Sequence, residues 1–520
     1  MTAPPVMQSM PAHAATVVHT LADTAARWPT REALVVGEER LAYGELLACV
    51  AGFARELAGQ VPGGNLHGER VAIILPNSIE ICVATYAAHA ARAQVVPLNP
   101  IYTGRELEAI LRDAAPAVLI CDATREELLA PLASRLGIAV TLSVRIGDGQ
   151  MTQWKRANVA LPAPLPAAED LAFVQYTGGT TGRSKGVNLA HGAVAVNIAQ
   201  REGMLPTGRE GERILCVMPL FHTYALSMGL HLATHCGGTL VVLPRYHPRD
   251  TLRTIAAERI TILPGSPTIF GALMAHEDFA ATDFSSVHTC YSGSAPLSAE
   301  TLRRWEDATG CPIYEGYGQT EAGPVLTYNP VKGIRKPGSV GIALAATEVE
   351  VVDVETGTRL LAAGERGEIR ARGPQIMLGY RNLPRETAET LRDGWLHTGD
   401  IGEFDADGYL YIRDRKKDMV IVSGYNVYPR EVEEVLMLHP AVQDAAAVGA
   451  PDDIRGEVVR AFVVLRAGVA ASSDDLLAHC GLNLAKYKLP VSIVRLDALP
   501  RTTVNKTDKH ALRAMTRSRE

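Results

Sequence analysis

The chain has 520 residues, more than one hydrophobic core ordinarily holds, so at least two domains are expected. Hydrophobic residues make up 47% and charged residues 21%, with a formal net charge of −6, the balance of a globular protein rather than a disordered one. No basic stripe emerges, which excludes nucleic acid as an expected partner and makes any phosphate binding a local property.

The N-terminus, MTAPPVMQSMPAHAATVV, lacks the basic region and apolar run of a signal peptide. Runs of β-type residues follow at 70–75, 117–121, 171–176, 214–218, 239–243 and 261–263. Between several of them lie segments with helical spacing, such as 78–91 and 105–114. Strands alternating with helices predict an α/β fold whose sheets are largely parallel. Residues 160–168 (ALPAPLPAA) read as a linker. The most apolar long stretch, 217–243, contains His222, His231, His235 and a Gly-Gly pair, so it does not read as a membrane span. His231 and His235 have the i, i+4 spacing of a zinc helix but lack the Glu of HExxH. Eight scattered cysteines form no CxxC pair, which points to a reducing, cytoplasmic location.

From about Gly338 the texture changes to short strands at 349–353, 367–372 and 409–413 with Gly-rich turns, a smaller β-rich layer. After the charged run 413–418 an α+β pattern begins, with a helix at 429–438, a strand at 461–465 and a final helix. The expected division is a large domain over 1–415, its β-rich part at about 338–415, and a small domain over 416–520.

Four segments carry the chemistry. Residues 177–186 read TGGTTGRSKG, and eight of the ten are Gly, Ser or Thr. Glycines let backbone N–H groups approach phosphate oxygens, hydroxyls add donors, and Arg183 and Lys185 add charge. The alternative is a flexible linker, although the strand leading into the segment is not something a linker needs. The same residues spell G-x-S-x-G around Ser184, the nucleophile elbow of serine hydrolases, with a strand before it and a possible helix after it, although a tight elbow does not require the Gly-Gly-Thr-Thr that precedes it. No oxyanion segment lies upstream. In Tyr317-Gly318-Gln319-Thr320-Glu321, a hydroxyl and a carboxylate one residue apart suit a phosphate and its Mg²⁺, with a polar turn as the bland reading. Asp400 in GWLHTGD suits ribose hydroxyls, though Asp in a turn is commonplace. Lys506, in LPRTTVNK, has nothing local that marks it as catalytic.

Taken together and in order, the segments LAFVQYTGGTTG, EGYGQTEAGPV, MLGYRN, DGWLHTGDI and DRKKDMVIVSGYNVYPREVEEV resemble the adenylate-forming superfamily of acyl-CoA synthetases, adenylation domains and luciferases. The likeness runs from about Thr24 to Ala514 and is nearest in style to bacterial long-chain fatty-acyl-CoA ligases. It implies a large domain of stacked, mostly parallel sheets and a small mobile α+β domain. It also implies a two-step reaction using ATP, Mg²⁺ and CoA: a carboxylate becomes acyl-AMP, and a thiol then takes the acyl group.

By matched position, Thr177, Gly178, Gly179, Thr180, Thr181, Gly182, Ser184 and Lys185 would cradle the phosphates. Thr320 would touch the α-phosphate and Glu321 would bind Mg²⁺. Gly293, Ser294, Ala295, Pro296, Glu315, Gly316, Tyr317 and Gly318 would flank the adenine and acyl groups. Asp400, Ile412 and Arg415 would serve the nucleoside, and Lys506 would bridge carboxylate and α-phosphate. Lys417 matches the hinge; Ser423, Gly424 and Tyr425 match the CoA channel. The acyl pocket would draw on Phe221, His222, Thr268, Gly293, Gly316, Tyr317 and Val325, with His222 near the carboxylate entrance.

Two departures stand out. Asn505 replaces the family's usual Gly before the catalytic Lys, and Thr507-Asp508-Lys509 is closer in style to adenylation domains. No Asp stands at the 221–222 position to bind an amino acid's ammonium, so a plain carboxylic acid is expected. A medium- or long-chain fatty acid is favoured over an aryl acid, and CoA over a carrier protein. A homodimer and peripheral membrane contact are kept as alternatives.

Overall fold

The computed structural model describes residues 11–147, 149–177, 184–208, 211–422, 425–452, 455–502 and 506–517. Its chain falls into two compact units, one of Met1–Val349 with Ala371–Leu396, the other of Glu350–Arg370 with His397–Glu520.

The first unit holds two sheets among the described residues. A seven-stranded sheet runs in the order Gly379–Tyr380, Lys185–Ala190, Leu171–Thr177, Gln94–Pro97, Arg70–Ile74, Val118–Asp122 and Val140–Val144. From Leu171–Thr177 onward the neighbours are parallel; the first two strands join antiparallel. A nine-stranded sheet runs Ile342–Ala343, Thr327–Tyr328, Ile313–Tyr317, Thr289–Ser292, Ile262–Gly265, Arg213–Cys216, Thr239–Val242, Glu32–Val36 and Glu39–Ala42. Its middle, from Ile313–Tyr317 to Glu32–Val36, is parallel throughout.

Parallel strands require crossover connections, and the sequence supplies helices for them. Helix Gly104–Ala114 starts at a capping box, where Glu106 N donates to Thr103 Oγ1 and Thr103 N donates to Glu106 Oε2. Helix Ile79–Ala90 starts where Ser78 Oγ accepts from Ile81 N, and all of its residues are buried. A helix that is mostly apolar on every side belongs inside a large domain, and here it does, with Glu80, Thr85 and His89 buried along with it. One core cluster joins Val71, Ile73 and Val95 of the first sheet, Ile214, Leu240 and Ile262 of the second, and Ile81, Val83 and Tyr86 of that helix. Each such side chain contributes roughly 1.5–3 kcal/mol by leaving water. All eight cysteines are buried and free, packed as small hydrophobes.

In the second unit a five-stranded sheet has the order Tyr425–Val427, Val420–Val422, Gly456–Leu465 and Val442–Asp452, with Ser492–Arg495 pairing parallel to Gly456–Leu465. Helix Pro429–Met437 has Pro at its first position, where the missing N–H costs nothing. Its Val432 and Leu436 join Leu476 and Cys480 of helix Ser473–Asn483 in the unit's core. The hairpin of Trp395–Phe404 with Leu410–Arg415 sets Asp400 opposite Arg415. Among the described residues no helix is long and apolar enough to cross a membrane.

Candidate active site

Four neighbouring parallel strands of the nine-stranded sheet end at one edge: Arg213–Cys216, Ile262–Gly265, Thr289–Ser292 and Ile313–Tyr317. Gly265 pairs with Ser292, and Ser292 with Glu315, so three of these ends are level. The carboxyl ends of parallel strands are where α/β sheets bind ligands. The segments leaving this edge carry Phe221 and His222, then Thr268, then Gly293 to Pro296, then Gly318 to Glu321. The structure thus gathers on one edge residues that the sequence spreads over a hundred positions.

Specific contacts shape each segment. Asn77 Nδ2 donates to Met218 O at 3.0 Å, and Leu220 N donates to Asn77 Oδ1 at 2.8 Å. Gln175 Nε2 donates to Phe221 O at 2.8 Å, tying this segment to the strand that enters the Gly/Thr-rich segment. His222 Nδ1 accepts from Tyr224 N at 3.2 Å, so the neutral ring carries its proton on Nε2. Thr268 and Ser266 share a hydroxyl contact of 2.8 Å. Ser294 sits in the left-handed region at φ +68° and is exposed with Ala295 and Pro296, while Gly293 is buried. Glu315 is buried and accepts from Leu297 N at 2.9 Å, which closes the loop that carries Gly293 to Pro296. Val325 is buried and held at both backbone groups by Asn197.

Two glycines are required by close packing. A Cβ on Gly316 would lie 2.4 Å from the Tyr328 ring, and one on Gly318 would lie 1.9 Å from Pro324 O. Tyr317 O, between them, accepts from Leu326 N at 2.9 Å.

Thr177 lies directly opposite Lys185 in an antiparallel pair, so the Gly/Thr-rich segment connects two strands of a hairpin. Gly178, Gly179, Thr180, Thr181 and Gly182 lie outside the described residues. Ser184 leads into strand Lys185–Ala190, not into a helix, so the strand–turn–helix context of a hydrolase elbow is not met. The reason is periodicity: Val187 and Leu189 turn inward while Asn188 between them stays partly exposed, a spacing of two.

Lys185 and the acidic motif meet through Tyr380, which sequence reasoning did not single out although MLGYRN contains it. Lys185 Nζ stands 4.8 Å from the Tyr380 ring centroid, and Tyr380 OH donates to Glu321 Oε1 at 2.9 Å. Burial and the neighbouring Glu321 charge push the phenol pKa upward. Thr320 and Glu321 share the single turn Thr320–Ala322, whose Glu321 O accepts from Met377 N at 2.9 Å. A half-buried carboxylate beside a hydroxyl is a hard oxygen donor set, and it fits Mg²⁺.

The second unit gathers the remaining residues. Asp400 is buried, and Arg415 Nε lies 3.3 Å from its Oδ1. Ile412 O accepts from Arg430 Nη1 at 2.7 Å. Thr502 N donates to Lys506 O at 2.7 Å and Lys506 N donates to Thr502 Oγ1 at 3.1 Å, which holds Lys506 against Thr502. Burial and the Arg415 charge push the Lys506 amine below the usual lysine range, against the pull of Asp400. Desolvation and Arg415 likewise push Lys417 down to about 8, opposed by Asp418 and Asp400. Asp400, Arg415, Lys417 and Lys506 are thus one electrostatic cluster. Tyr425 is exposed and stacks on Tyr487 with ring centroids 4.8 Å apart. Ser423 and Gly424 lie outside the described residues.

Residues 21–381 match the family model of the AMP-binding enzymes, and residues 431–506 match the AMP-binding enzyme C-terminal domain. A long-chain-fatty-acid–CoA ligase of Bacillus subtilis (strain 168) is 38% identical, with 94% of this chain and 93% of that protein covered. A feruloyl-CoA synthase of Amycolatopsis sp is 36% identical, with 94% of this chain and 98% of that protein covered. ATP-bound MatB from Rhodopseudomonas palustris has a TM-score of 0.90 and 33% identity, over 97% of this chain and 99% of that one. The chain belongs to the AMP-binding enzyme family, and it is an AMP-forming acid–thiol ligase.

Proposed function

We propose that this ligase activates a medium- or long-chain fatty acid as acyl-AMP and transfers the acyl group to CoA. The observation that carries the ATP half of the reading is the contact chain from Lys185 through Tyr380 to Glu321 at the carboxyl edge of the sheets. In the first step the carboxylate oxygen attacks the α-phosphorus and the bond to pyrophosphate breaks. The loop 177–185 cradles the phosphates and Thr320 touches the α-phosphate. Glu321 would hold Mg²⁺, which would supply charge against the phosphate oxygens. Asp400 and Arg415 orient the ribose. Lys506 bridges the carboxylate and the α-phosphate. Such chemistry is chiefly positioning plus charge stabilisation.

In the second step a thiol sulfur attacks the acyl carbonyl and AMP leaves. The part of the chain from about residue 416 turns at Lys417 between the steps, and Ser423, Gly424 and Tyr425 then line the thiol channel. Support for the fatty acid comes from the curated relatives named as long-chain-fatty-acid ligases. A second reading, an aryl acid, is favoured by the feruloyl-CoA synthase match and by the Tyr224 and Tyr328 rings packed behind Gly293 and Gly316.

A pyrophosphate-release screen over acids from acetate to oleate plus benzoates, with and without CoA, separates these readings. The fatty-acid reading expects AMP and pyrophosphate with the longer alkanoates. ADP as product, or turnover with benzoates alone, overturns it.

A further inference from the structure

Lys185 and Glu321 come from segments far apart in sequence, and a third segment, 377–381, clips them together. Its backbone pairs with strand Lys185–Ala190: Leu378 N donates to Asn188 O at 2.9 Å and Arg381 N to Gly186 O at 2.7 Å. On its other side Met377 N donates to Glu321 O at 2.9 Å. Tyr380 occupies the middle of the clip, opposite Val187.

The clip itself is held firmly. Tyr380 N donates to Thr387 Oγ1 at 2.9 Å. Gly379 adopts φ +138°, and a Cβ there would meet the Thr387 methyl at 2.7 Å, so the backbone leading into Tyr380 has little freedom. From this anchored position the ring faces the Lys185 ammonium at 4.8 Å and the hydroxyl reaches Glu321 Oε1 at 2.9 Å.

We infer that Tyr380 is the positioning residue of the cation site: its hydroxyl pins Glu321 through Oε1 and so holds the carboxylate where it would bind the metal, while its ring fixes the Lys185 ammonium beside it. This rests on the reading that Glu321 holds the Mg²⁺ of MgATP. A tyrosine suits the task because the phenol donates a hydrogen bond to a carboxylate without adding charge. A lysine or arginine there would compete with the cation for the same carboxylate. The aromatic face attracts an ammonium without neutralising it, which leaves the Lys185 charge available to phosphate.

The test compares the full-length wild type with Tyr380→Phe, Glu321→Gln and the double variant. Binding of a fluorescent ATP analogue (mant-ATP) is titrated with Mg²⁺, alongside ATP–pyrophosphate exchange and thermal melting. Tyr380→Phe is expected to raise the half-saturating Mg²⁺ concentration about five- to tenfold. Affinity for mant-ATP without Mg²⁺ and the melting temperature should stay at wild-type values, and the loss of exchange rate should be greatest at low Mg²⁺ and shrink as Mg²⁺ is raised. Adding Tyr380→Phe to Glu321→Gln should cost nothing further, because the tyrosine acts through the carboxylate. A Mg²⁺ midpoint in Tyr380→Phe within twofold of wild type, or full additivity in the double variant, overturns the inference. So does wild-type mant-ATP binding that ignores Mg²⁺. If the wild type binds mant-ATP with a Mg²⁺ dependence that Tyr380→Phe shifts as expected, yet forms no adenylate with any acid, the functional reading fails while Tyr380 keeps its role.

Discussion

Gly318→Ala tests whether the turn after strand Ile313–Tyr317 is built as the packing requires. The added Cβ would stand 1.9 Å from Pro324 O and 2.9 Å from both Pro324 C and Val325 Cα. Cβ atoms essentially never come within 3.0 Å of another heavy atom, so the two strands of chain must separate by at least about 1 Å, and no side-chain rotation relieves a clash with backbone. Gly318 stands two residues before Thr320, so the displacement passes to Thr320 and Glu321. A misplacement of that size near reacting groups costs on the order of 10²-fold in rate. Overpacking should also lower stability by roughly 1–3 kcal/mol. The assay is ATP–pyrophosphate exchange with an active acid from the screen, paired with urea denaturation to separate loss of alignment from loss of fold. Gly481→Ala is the control: nothing lies within 4 Å of its Cβ position, and it sits in helix Ser473–Asn483. That control should keep full activity and gain about 0.5–1 kcal/mol. A folded Gly318→Ala enzyme with exchange within threefold of wild type would refute the packing argument.

Two further outcomes are expected. Lys506→Ala should lower adenylation by about 10²–10³-fold yet spare thioester formation from supplied acyl-AMP, and equal losses in both half-reactions would count against its assignment to the first step. His89, His191 and His231 are buried, and burial holds their pKa values down, His191 to about 4 and His231 to about 3. The unfolded chain takes up protons near pH 6.5 that the folded chain refuses, so stability is full above that value and falls as pH drops below it, by about 2 kcal/mol per histidine at pH 5. Urea midpoints at pH 7 and pH 5 measure this, His231→Leu should flatten the slope, and a midpoint unchanged between the two pH values would contradict it.

The parallel core was legible because its strands are short apolar runs bounded by turn residues. The expected strands at 70–75 and 239–243 are Arg70–Ile74 and Thr239–Val242, and the expected helix at 105–114 is Gly104–Ala114. Strand Val442–Asp452 was not legible: its Ala-Ala-Ala centre has helical propensity, and only pairing along Gly456–Leu465 extends it. The same limit explains why a helix after Ser184 looked possible. Composition there resembles an elbow, but strand Leu171–Thr177 offers an antiparallel edge and the inward Val187 and Leu189 take it. Site residues divide along a similar line. Gly316 and Gly318 could be suspected from sequence, since glycines beside a strand end often mark close backbone approach. Tyr380 could not, because a tyrosine after a glycine is ordinarily a packing residue, and nothing local records that its hydroxyl faces Glu321. Lys506 is the sharper case. In sequence it is one lysine in a polar turn, and the downward push on its pKa comes from burial and then from Arg415, neither of which is encoded near residue 506. Residues whose role is to be close to a backbone leave a mark in their own identity. Residues whose role is a charge or a donor at a distance leave it in their neighbours.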